Sequence, residues 1–176
     1  LFSNSINSIK NIVNKVNSSG IQGNIITLPY FGEMKESFKK YCKNPKKNLI
    51  NLDVDRKDIF DYFKGSKSYD QVKKISKNTY TRACIVATNV AEASLTISSL
   101  KYVIDIGYQI NIKYNYDSQI SEVNNNKINE VSRVQRKGRV GRVDSGTVYY
   151  MYPEGSRENV NTSYAICNEN FNDKYL

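Results

Sequence analysis

The 176-residue chain has no histidine, no tryptophan and only three cysteines. Zinc sites in proteins need cysteine or histidine ligands, which usually occur in close pairs. Cys42, Cys84 and Cys167 are far apart in the sequence, so a Cys/His zinc site is excluded and we predict no metal site. Cys84 lies in an apolar run, which predicts a buried thiol, and the cysteine usage as a whole favours a reducing, intracellular compartment.

Long hydrophobic runs are also missing from the sequence. No apolar stretch approaches the roughly 20 residues that a helix needs to cross a bilayer. The first residues lack the charged start and the long apolar core of a signal peptide. We therefore expect no membrane partner and an intracellular protein, cytoplasmic or nuclear. The chain does not begin with methionine, from which we expect it to start inside a longer protein.

Negative charge is in deficit, because 26 Lys and Arg residues face 17 Asp and Glu residues, a net charge of +9. Such an excess favours a polyanionic partner, nucleic acid or nucleotide. The alternative is a general enrichment in lysine that follows from an A/T-rich genome. The positions of the charges must therefore decide between the two explanations.

Two short apolar runs carry the prediction of the fold. Residues 83–87 form an uninterrupted run of small and β-branched residues, and residues 102–106 form a second such strand. Runs of this kind are typical of strands that are covered on both faces in a parallel sheet flanked by helices. Residues 109–131 alternate instead, which predicts antiparallel hairpins with turns at 117–118 and 124–126.

The order of the elements predicts an α/β fold with an open, doubly wound sheet, in which ligands bind at the carboxyl ends of the strands. We assign residues 1–153 to one domain and residues 154–176 to a tail or a linker to a following domain. The other predicted elements are a strand tail at 1–2, helices at 3–16 and 33–41, a strand at 24–28 closed by Pro29, a strand at 49–52, helices at 55–63 and 69–75 with a loop at 65–68 between them, and a final strand at 146–152.

The densest group of guanidiniums is the run Gln-Arg-Lys-Gly-Arg-Val-Gly-Arg at 135–142. We predict a basic helix over residues 131–142, in which Gln135, Arg139 and Arg142 share one face that can meet a polyphosphate. Glycine inside a helix costs roughly 1 kcal/mol relative to alanine. Gly138 and Gly141 therefore suggest that another backbone or a ligand approaches closely there. A solvated basic helix is the alternative for an ordinary run of cations.

Two blocks of the sequence resemble one protein family. The run Ala-Thr-Asn-Val-Ala-Glu-Ala-Ser-Leu-Thr-Ile at 87–97 resembles motif V, and residues 135–142 resemble motif VI, of superfamily 2 helicases of the DEAH/DExH branch. Residues 102–107 and 113–116 resemble the same branch in order and spacing, and Phe-Ser-Asn-Ser at 2–5 resembles its motif IV. The resemblance is strong over residues 79–153, weak over 1–43 and not recognisable over 44–78. It implies a second RecA-like domain, with a parallel sheet of the P-loop NTPase type flanked by helices and an appended antiparallel β-hairpin. Residues 135–142 also resemble viral helicases, which adds a viral factory or a virion to the expected locations.

The resemblance implies that ATP and Mg²⁺ bind between two RecA-like domains, and that the first domain supplies the phosphate loop, the metal ligands and the catalytic carboxylates. This chain has neither G-x-x-x-x-G-K-[ST] nor D-E-x-H, so on its own it is expected to hydrolyse nothing. Arg139 and Arg142 carry over as arginine fingers, which stabilise negative charge on the transferred phosphoryl group. Gln135 carries over as the group that positions the attacking water. The ATP contacts that the same blocks imply are Ser94, Thr96 and Gly138.

The nucleic-acid contacts carry over onto Thr88, Asn89 and Ser3. A hydroxyl and backbone N–H groups at a strand-to-helix turn suit a phosphate, so these contacts would bind the nucleic-acid backbone and not the bases. Ordinary helix capping is the alternative for Thr88. Glu92 is expected to cap or orient the same loop.

Other residues near these blocks have weaker assignments. Arg136 points to another face of the predicted helix, where we expect it to bind an acidic group inside the domain. Asp105 ends a buried strand and is expected to be structural. The hairpin region resembles an element that separates strands or grips a single strand. Tyr108, Tyr114 and Tyr116 there either stack on bases or pack on the face of the β-ribbon.

The resemblance therefore predicts the second motor domain of an ATP-dependent nucleic-acid helicase. Its expected partners are single-stranded RNA, or DNA, and the first RecA-like domain of the same polypeptide. Two alternatives remain. One is an ATP-driven translocase that remodels complexes without unwinding, and the other is a non-catalytic scaffold domain that binds nucleic acid.

Overall fold

The computed structural model describes residues 1–18, 24–34, 36–48, 80–156 and 160. Strands and helices alternate through most of this length, in agreement with the predicted α/β class. In chain order the described elements are α1 (Ile6–Ser18), β1 (Ile25–Tyr30), α2 (Glu36–Lys43), α3 (Pro45–Asn48), β2 (Arg82–Ala87), α4 (Ala91–Ser94), β3 (Tyr102–Asp105), β4 (Tyr108–Asn115), β5 (Ile120–Lys127), α5 (Glu130–Lys137) and β6 (Thr147–Tyr150).

A parallel sheet forms the centre of the domain. β1 pairs in parallel with β2, and β3 pairs in parallel with β6. Phe2 lies between the two pairs, because it bridges both Ala87 and Asp105 in parallel. The N–H of Phe2 donates to the carbonyl of Ile104 (2.8 Å), and the N–H of Ser3 donates to the carbonyl of Ala87 (2.7 Å). The predicted strand tail at 1–2 is thus confirmed, and it joins the two halves of the sheet.

Helix α1 covers β1 and β2 on one side of the sheet. Ile9 and Val13, four residues apart, are fully buried against a core that includes Ile26, Leu28 and Val86. Burial of each such side chain stabilises the fold by about 1.5–3 kcal/mol. The helical spacing of apolar residues in the sequence therefore identified the packed face of this helix.

β3 is covered on only one face by the described part of the chain. Val103 and Asp105 are buried, whereas Tyr102 is 63% exposed and Ile104 is 36% exposed. The prediction that this strand is covered on both faces is wrong for the described residues. Cys84 in β2, predicted to be buried, is half-buried.

The bounds of several elements differ from the prediction, by a few residues for α1 and β6 and also for β1 and α2. β1 continues through Pro29, which lies opposite Val86. A proline is tolerated there because β1 has one neighbouring strand in the described structure, so the missing N–H breaks no ladder. The second helix begins at Glu36 and ends at Lys43, later than the predicted 33–41.

The predicted antiparallel appendage is a single hairpin of β4 and β5. Its register places Tyr108 opposite Lys127 and Asn115 opposite Ile120. The turn at 117–118 is as predicted. The turn predicted at 124–126 is wrong, because these asparagines continue β5 and pair with β4.

The basic helix is shorter than predicted. α5 begins after Asn129, whose side-chain oxygen accepts a hydrogen bond from the N–H of Ser132 (2.9 Å), and it ends at Lys137 with Gly138 as its C-cap. Residues 139–144 form a turn and bends instead of helix. Gly141 has a φ of +79°, with no described atom within 4 Å of the position of a Cβ. The backbone conformation, and not a close neighbour in the described structure, accounts for this glycine.

Several predicted elements cannot be compared with the structure. The strand at 49–52, the helices at 55–63 and 69–75, the loop at 65–68 and all of the tail except 154–156 and 160 lie outside the described residues.

Candidate nucleotide and nucleic-acid site

The two predicted catalytic arginines, Arg139 and Arg142, lie in one turn that follows α5. The N–H of Arg139 donates to the carbonyl of Arg136 (3.2 Å), and the N–H of Val140 donates to the carbonyl of Lys137 (3.2 Å). These bonds span three residues, so the chain tightens after Gly138 and leaves the helix axis. The shared helical face that we predicted for residues 135, 139 and 142 is therefore replaced by a compact turn.

Arg142 folds back over this turn. Its Nε donates to the carbonyl of Gly138 (3.0 Å), and its Nη1 donates to Oγ1 of Thr96 (3.2 Å). Both contacts are exposed, and both acceptors are neutral. The structure thus brings together three predicted site residues, one finger candidate and two ATP-contact candidates.

Arg139 lies deeper in the same turn. Its Nη1 donates to the carbonyl of Leu95 (3.4 Å), and its Nε is buried and has no hydrogen-bond partner among the described residues. Burial lowers the pKa of Arg139 from its ordinary value, and the charge of Arg142 lowers it further. Neither Arg139 nor Arg142 forms an ion pair with a carboxylate within the described ranges. An anion at this place would therefore find two guanidiniums that no described carboxylate binds directly.

Gln135 is the third predicted catalytic residue. It lies on the last turn of α5, one helical turn before Arg139, and its side chain is exposed. The arrangement leaves its amide accessible, and the water-positioning role remains a prediction.

Ser94 and Thr96 lie on the loop that faces the arginine turn. The hydroxyl of Ser94 donates to the carbonyl of Val90 (2.7 Å) and lies 3.2 Å from the hydroxyl of Tyr30. Thr96 is exposed and contacts Arg142. Ser94 is thus held by its own helix and by β1, while Thr96 is the one of the two that touches a finger candidate.

The predicted nucleic-acid contacts lie where β2 ends. Thr88 is half-buried and Asn89 is exposed. Their carbonyls accept from the N–H groups of Ala91 (3.1 Å) and Glu92 (2.8 Å), which holds the loop onto the first turn of α4. Ser3 is 1% exposed, and its hydroxyl donates to Oγ of Ser8 (2.9 Å). Its predicted nucleic-acid contact has the least support of the three, because the hydroxyl faces inward.

Arg136 is fully enclosed, and it is the largest fully buried side chain of the described structure. Its Nε donates to Oε1 of Glu92 (2.7 Å), and its Nη1 donates to Oδ1 of Asp105 (2.6 Å). The guanidinium also lies over the ring of Phe2, with 4.8 Å between Cζ and the ring centroid. The expectation that Arg136 binds an acidic group inside the domain is confirmed. Glu92, which we expected to cap or orient a loop, is instead the buried partner of this arginine.

Asp105 is structural, as expected. Besides Arg136, it accepts from the N–H of Gly107 (2.9 Å) through Oδ1 and from the hydroxyl of Tyr152 (2.9 Å) through Oδ2. With three donors the buried carboxylate is satisfied. Sequence reasoning missed the role of Tyr152, since nothing in the spacing relates it to position 105.

The hairpin presents aromatic and aliphatic side chains to solvent. The rings of Tyr114 and Tyr116 meet edge to face with 4.9 Å between centroids. Tyr116, Ile112 and Val123 are each more than half exposed. These exposed side chains are accessible to bases, so stacking stays a prediction. The rings of Tyr114 and Tyr116 pack on each other, which is the arrangement expected from the alternative of a packed β-ribbon face.

The described residues contain neither a metal-binding cluster nor a membrane-spanning helix. Within the described ranges, no three acidic or cysteine side chains lie close enough together to hold a metal ion. Mg²⁺, which the resemblance assigns mainly to the first domain, stays an expectation. Among the same residues, no helix has the length and apolar character that a membrane span requires.

Comparison with known families gives a match over more than half of the chain. The helicase conserved C-terminal domain family matches residues 30–144. This span contains both recognised blocks, and it also includes residues 44–78, where no motif was recognisable in the sequence.

Comparison with curated proteins gives helicases. The chain is 32% identical over 150 residues to R366 of Acanthamoeba polyphaga mimivirus, which is assigned as an ATP-dependent RNA helicase, with 85% of this chain and 8% of R366 covered. It is 42% identical over 77 residues to the ATP-dependent RNA helicase DHX33 of Homo sapiens, with 44% of this chain and 11% of DHX33 covered. The chain therefore spans about a tenth of the length of these relatives.

Comparison with solved structures supports the same fold. Crystal structures of Escherichia coli HrpB, one described as a DExH-box NTPase and the other as a DEAH/RHA helicase, align with TM-scores of 0.65 and 0.66. Each alignment covers 94% of this chain and 17% of the HrpB chain, at 18% and 17% identity. At this identity the likeness establishes the fold alone.

Proposed function

Since this chain belongs to the helicase conserved C-terminal domain family, as a second RecA-like domain of the DEAH/DExH type, we propose that it acts as the second motor domain of an ATP-dependent RNA helicase. In this role it supplies cations to an ATP site that a first RecA-like domain completes. It also contacts the backbone of single-stranded RNA. The relatives named as RNA helicases support RNA over DNA as the substrate.

The observation that carries this proposal is the pair Arg139 and Arg142. Both lie in the turn after α5, without a carboxylate partner in the described structure, and the buried Nε of Arg139 has no partner there. A buried, unsatisfied donor costs about 1–3 kcal/mol. That Nε is enclosed, but Arg139 as a whole is only half-buried and Arg142 is exposed, so a phosphate oxygen of ATP can approach the pair without displacing a carboxylate.

ATP would supply the phosphoryl group that passes to water. Negative charge spreads over the phosphoryl oxygens during transfer, so guanidiniums fixed nearby stabilise the transition state more than the ground state. Gly138 and Thr96 hold the Arg142 side chain through Nε and Nη1. Gln135 is exposed on the last turn of α5, and we propose that its amide orients the attacking water molecule.

The nucleic-acid contact is proposed at the loop of Thr88 and Asn89. The loop follows the carboxyl end of β2, where ligands bind in open α/β sheets. Asn89 is exposed, and the backbone of the loop is fixed by its bonds to α4. We further propose that residues 1–153 form the domain and that residues 154–176 lead to a following one. The RNA substrate would place the protein inside the cell or in a viral particle.

Replacement of Arg142 in the full-length protein tests the proposal. Arg142→Ala is expected to lower ATP turnover by about 10³–10⁵-fold, the usual contribution of an arginine finger, and to leave RNA affinity nearly unchanged. Arg142→Lys keeps the charge but loses the planar fork, so it is expected to restore little activity. Arg133→Ala, on the same helix but one turn before Lys137, is the matched control and is expected to keep turnover.

Steady-state ATP hydrolysis and RNA binding by fluorescence anisotropy measure these outcomes. Unchanged turnover in Arg142→Ala would refute the finger assignment. The isolated 176-residue chain is expected to hydrolyse no ATP above background, and robust hydrolysis by the pure chain would refute its role as half of a site.

A further inference from the structure

Arg136 joins four separate segments of the domain through one side chain. Its Nε donates to Glu92 on α4, its Nη1 to Asp105 at the end of β3, and its Nη2 to the carbonyl of Tyr108 at the base of the hairpin (3.4 Å). The ring of Phe2, between the two halves of the sheet, lies against its other surface. The side chain is 0% exposed.

The arrangement needs arginine in particular. A guanidinium offers five N–H donors in a fixed plane and can therefore bond in several directions at once, whereas an ammonium is a point charge on a flexible stem. Two carboxylates around one cation leave the cluster with a net negative charge. Asp105 also accepts from Gly107 and Tyr152, and these two donors help to offset the cost of burying the cluster.

The two partners of Arg136 differ in how firmly the surroundings hold them. Asp105 has two further donors and is 0% exposed, so its position is fixed without Arg136. Among the described residues, the Glu92 carboxylate accepts its one hydrogen bond from Arg136, and α4, which carries Glu92, is four residues long. The bond between Glu92 and Arg136 is therefore the side-chain ion pair that ties α4 to α5.

This bond lies between the two proposed ligand sites. On one side, the N–H of Glu92 donates to the carbonyl of Asn89 (2.8 Å), in the proposed RNA-binding loop. On the other side, the carbonyl of Arg136 accepts from the N–H of Arg139 (3.2 Å), in the proposed ATP-binding turn. One backbone bond, one ion pair and one more backbone bond thus connect Asn89 to Arg139.

We propose that the ion pair of Glu92 and Arg136 couples the two sites, so that RNA held at the Thr88 and Asn89 loop positions Arg139 for ATP turnover. Both are positioning residues, since neither lies at the proposed phosphate site. The inference rests on the proposed function, because it assigns a regulator to that same ATP site. Loss of the pair should then remove the stimulation of turnover by RNA while leaving turnover without RNA.

Glu92→Gln in the full-length protein tests the coupling. The amide keeps the size of the side chain and one acceptor oxygen, but it removes the charge that holds the guanidinium. Turnover without RNA is expected to stay within about twofold, and the maximal stimulation at saturating single-stranded RNA is expected to fall about tenfold, within the usual range of a coupling between sites. If Glu92→Gln does not fold, Glu92→Asp, which keeps the charge but is one methylene shorter, is measured in its place with the same expectation.

Glu130→Gln is the matched control. Glu130 also pairs with an arginine of α5, Arg133, through Nε and Oε2 (2.6 Å), but this pair is partly exposed and touches neither proposed site. The control is expected to keep both turnover and stimulation.

The outcomes separate this inference from the proposed function. Equal losses with and without RNA would make the pair merely structural. A higher RNA concentration for half-stimulation with an unchanged maximum would limit Glu92 to RNA binding. Either result overturns the coupling and leaves the proposed function standing. A wild-type protein that hydrolyses no ATP, or that RNA does not stimulate, would overturn the proposed function and the coupling with it.

Discussion

Arg136 and Arg142 lie six residues apart in one basic segment, and their surroundings are opposite. Arg136 is fully buried, with two carboxylates and an aromatic ring around it. Arg142 is exposed and bonds only a carbonyl and a hydroxyl among the described residues. The same side chain thus serves the fold at one position and remains available to an anion at the other. The neighbours that the tertiary structure supplies decide which role it has.

The difference follows from where the carboxylates lie. Glu92 and Asp105 come from α4 and from the carboxyl end of β3, and both point to the inner side of α5. On the outer side, the hydrogen-bond acceptors that the described chain offers to Arg139 and Arg142 are backbone carbonyls and the hydroxyl of Thr96. A buried guanidinium without a carboxylate would cost several kcal/mol. Arg139, next to Leu95, and Arg142, next to Thr96, are less buried and remain available to bind an anion.

Removal of an outer arginine, Arg139 or Arg142, should give the largest effect. This effect should be a loss of ATP turnover and not a loss of stability. Arg139→Ala in the full-length protein is expected to lower ATP turnover by about 10³-fold or more. Stability should stay the same or rise, because the variant removes a buried donor without a partner. ATP hydrolysis and urea unfolding of the same preparation measure the two effects. A large loss of stability in Arg139→Ala would break the division into inner and outer arginines.

Removal of the inner arginine, Arg136, should instead lower the free energy of unfolding. Arg136→Ala leaves Glu92 and Asp105 buried without their cation, which typically costs about 3–5 kcal/mol. The midpoint of urea unfolding should fall accordingly. Arg133→Ala, which breaks a partly exposed pair with Glu130, is the control and is expected to lose a small fraction of that amount. Equal losses of stability in Arg136→Ala and Arg133→Ala would show that the buried ion pairs of Arg136 contribute no more than a partly exposed pair.

The turn that presents the outer arginines depends on tight packing at Gly146. A Cβ at this position would lie 2.1 Å from Cγ2 of Val140 and 2.9 Å from the carbonyl oxygen of Lys101. Gly146→Ala is therefore expected to cost about 1–3 kcal/mol and to lower ATP turnover by displacing the turn. Gly32→Ala, where the nearest atom would be 3.8 Å away, is the control and should be tolerated. A stable, fully active Gly146→Ala would mean that the turn is not held in this way.

The smallest expected effect concerns the proposed RNA-binding loop of Thr88 and Asn89. Thr88→Ala is expected to weaken the binding of single-stranded RNA by a factor of about 5–10, in line with the loss of roughly 1 kcal/mol for one hydrogen bond. The loss should be similar for all RNA sequences, since a backbone contact carries no sequence information. Anisotropy titrations with several unrelated sequences measure this. A loss confined to one sequence would argue for base contacts.

Particular residues show how far the sequence led toward the site. The run at 135–142 identified Arg139 and Arg142 as a pair, and the structure places them in one turn. It also gave an internal acidic partner for Arg136, but it did not say which one. The helical register was wrong beyond Gly138, because glycine at the C-cap and a positive φ at Gly141 end the helix early.

The sequence by itself determined the α/β class, the parallel strands, the hairpin and the family, because these depend on local periodicity and on contiguous motifs. Tertiary structure alone decided that Glu92 and Asp105 enclose Arg136, that Thr96 meets Arg142 and that one face of β3 stays open. Each of these depends on residues from different segments meeting in space. Periodicity tells which side of an element is buried, but it does not tell which side chain lies opposite.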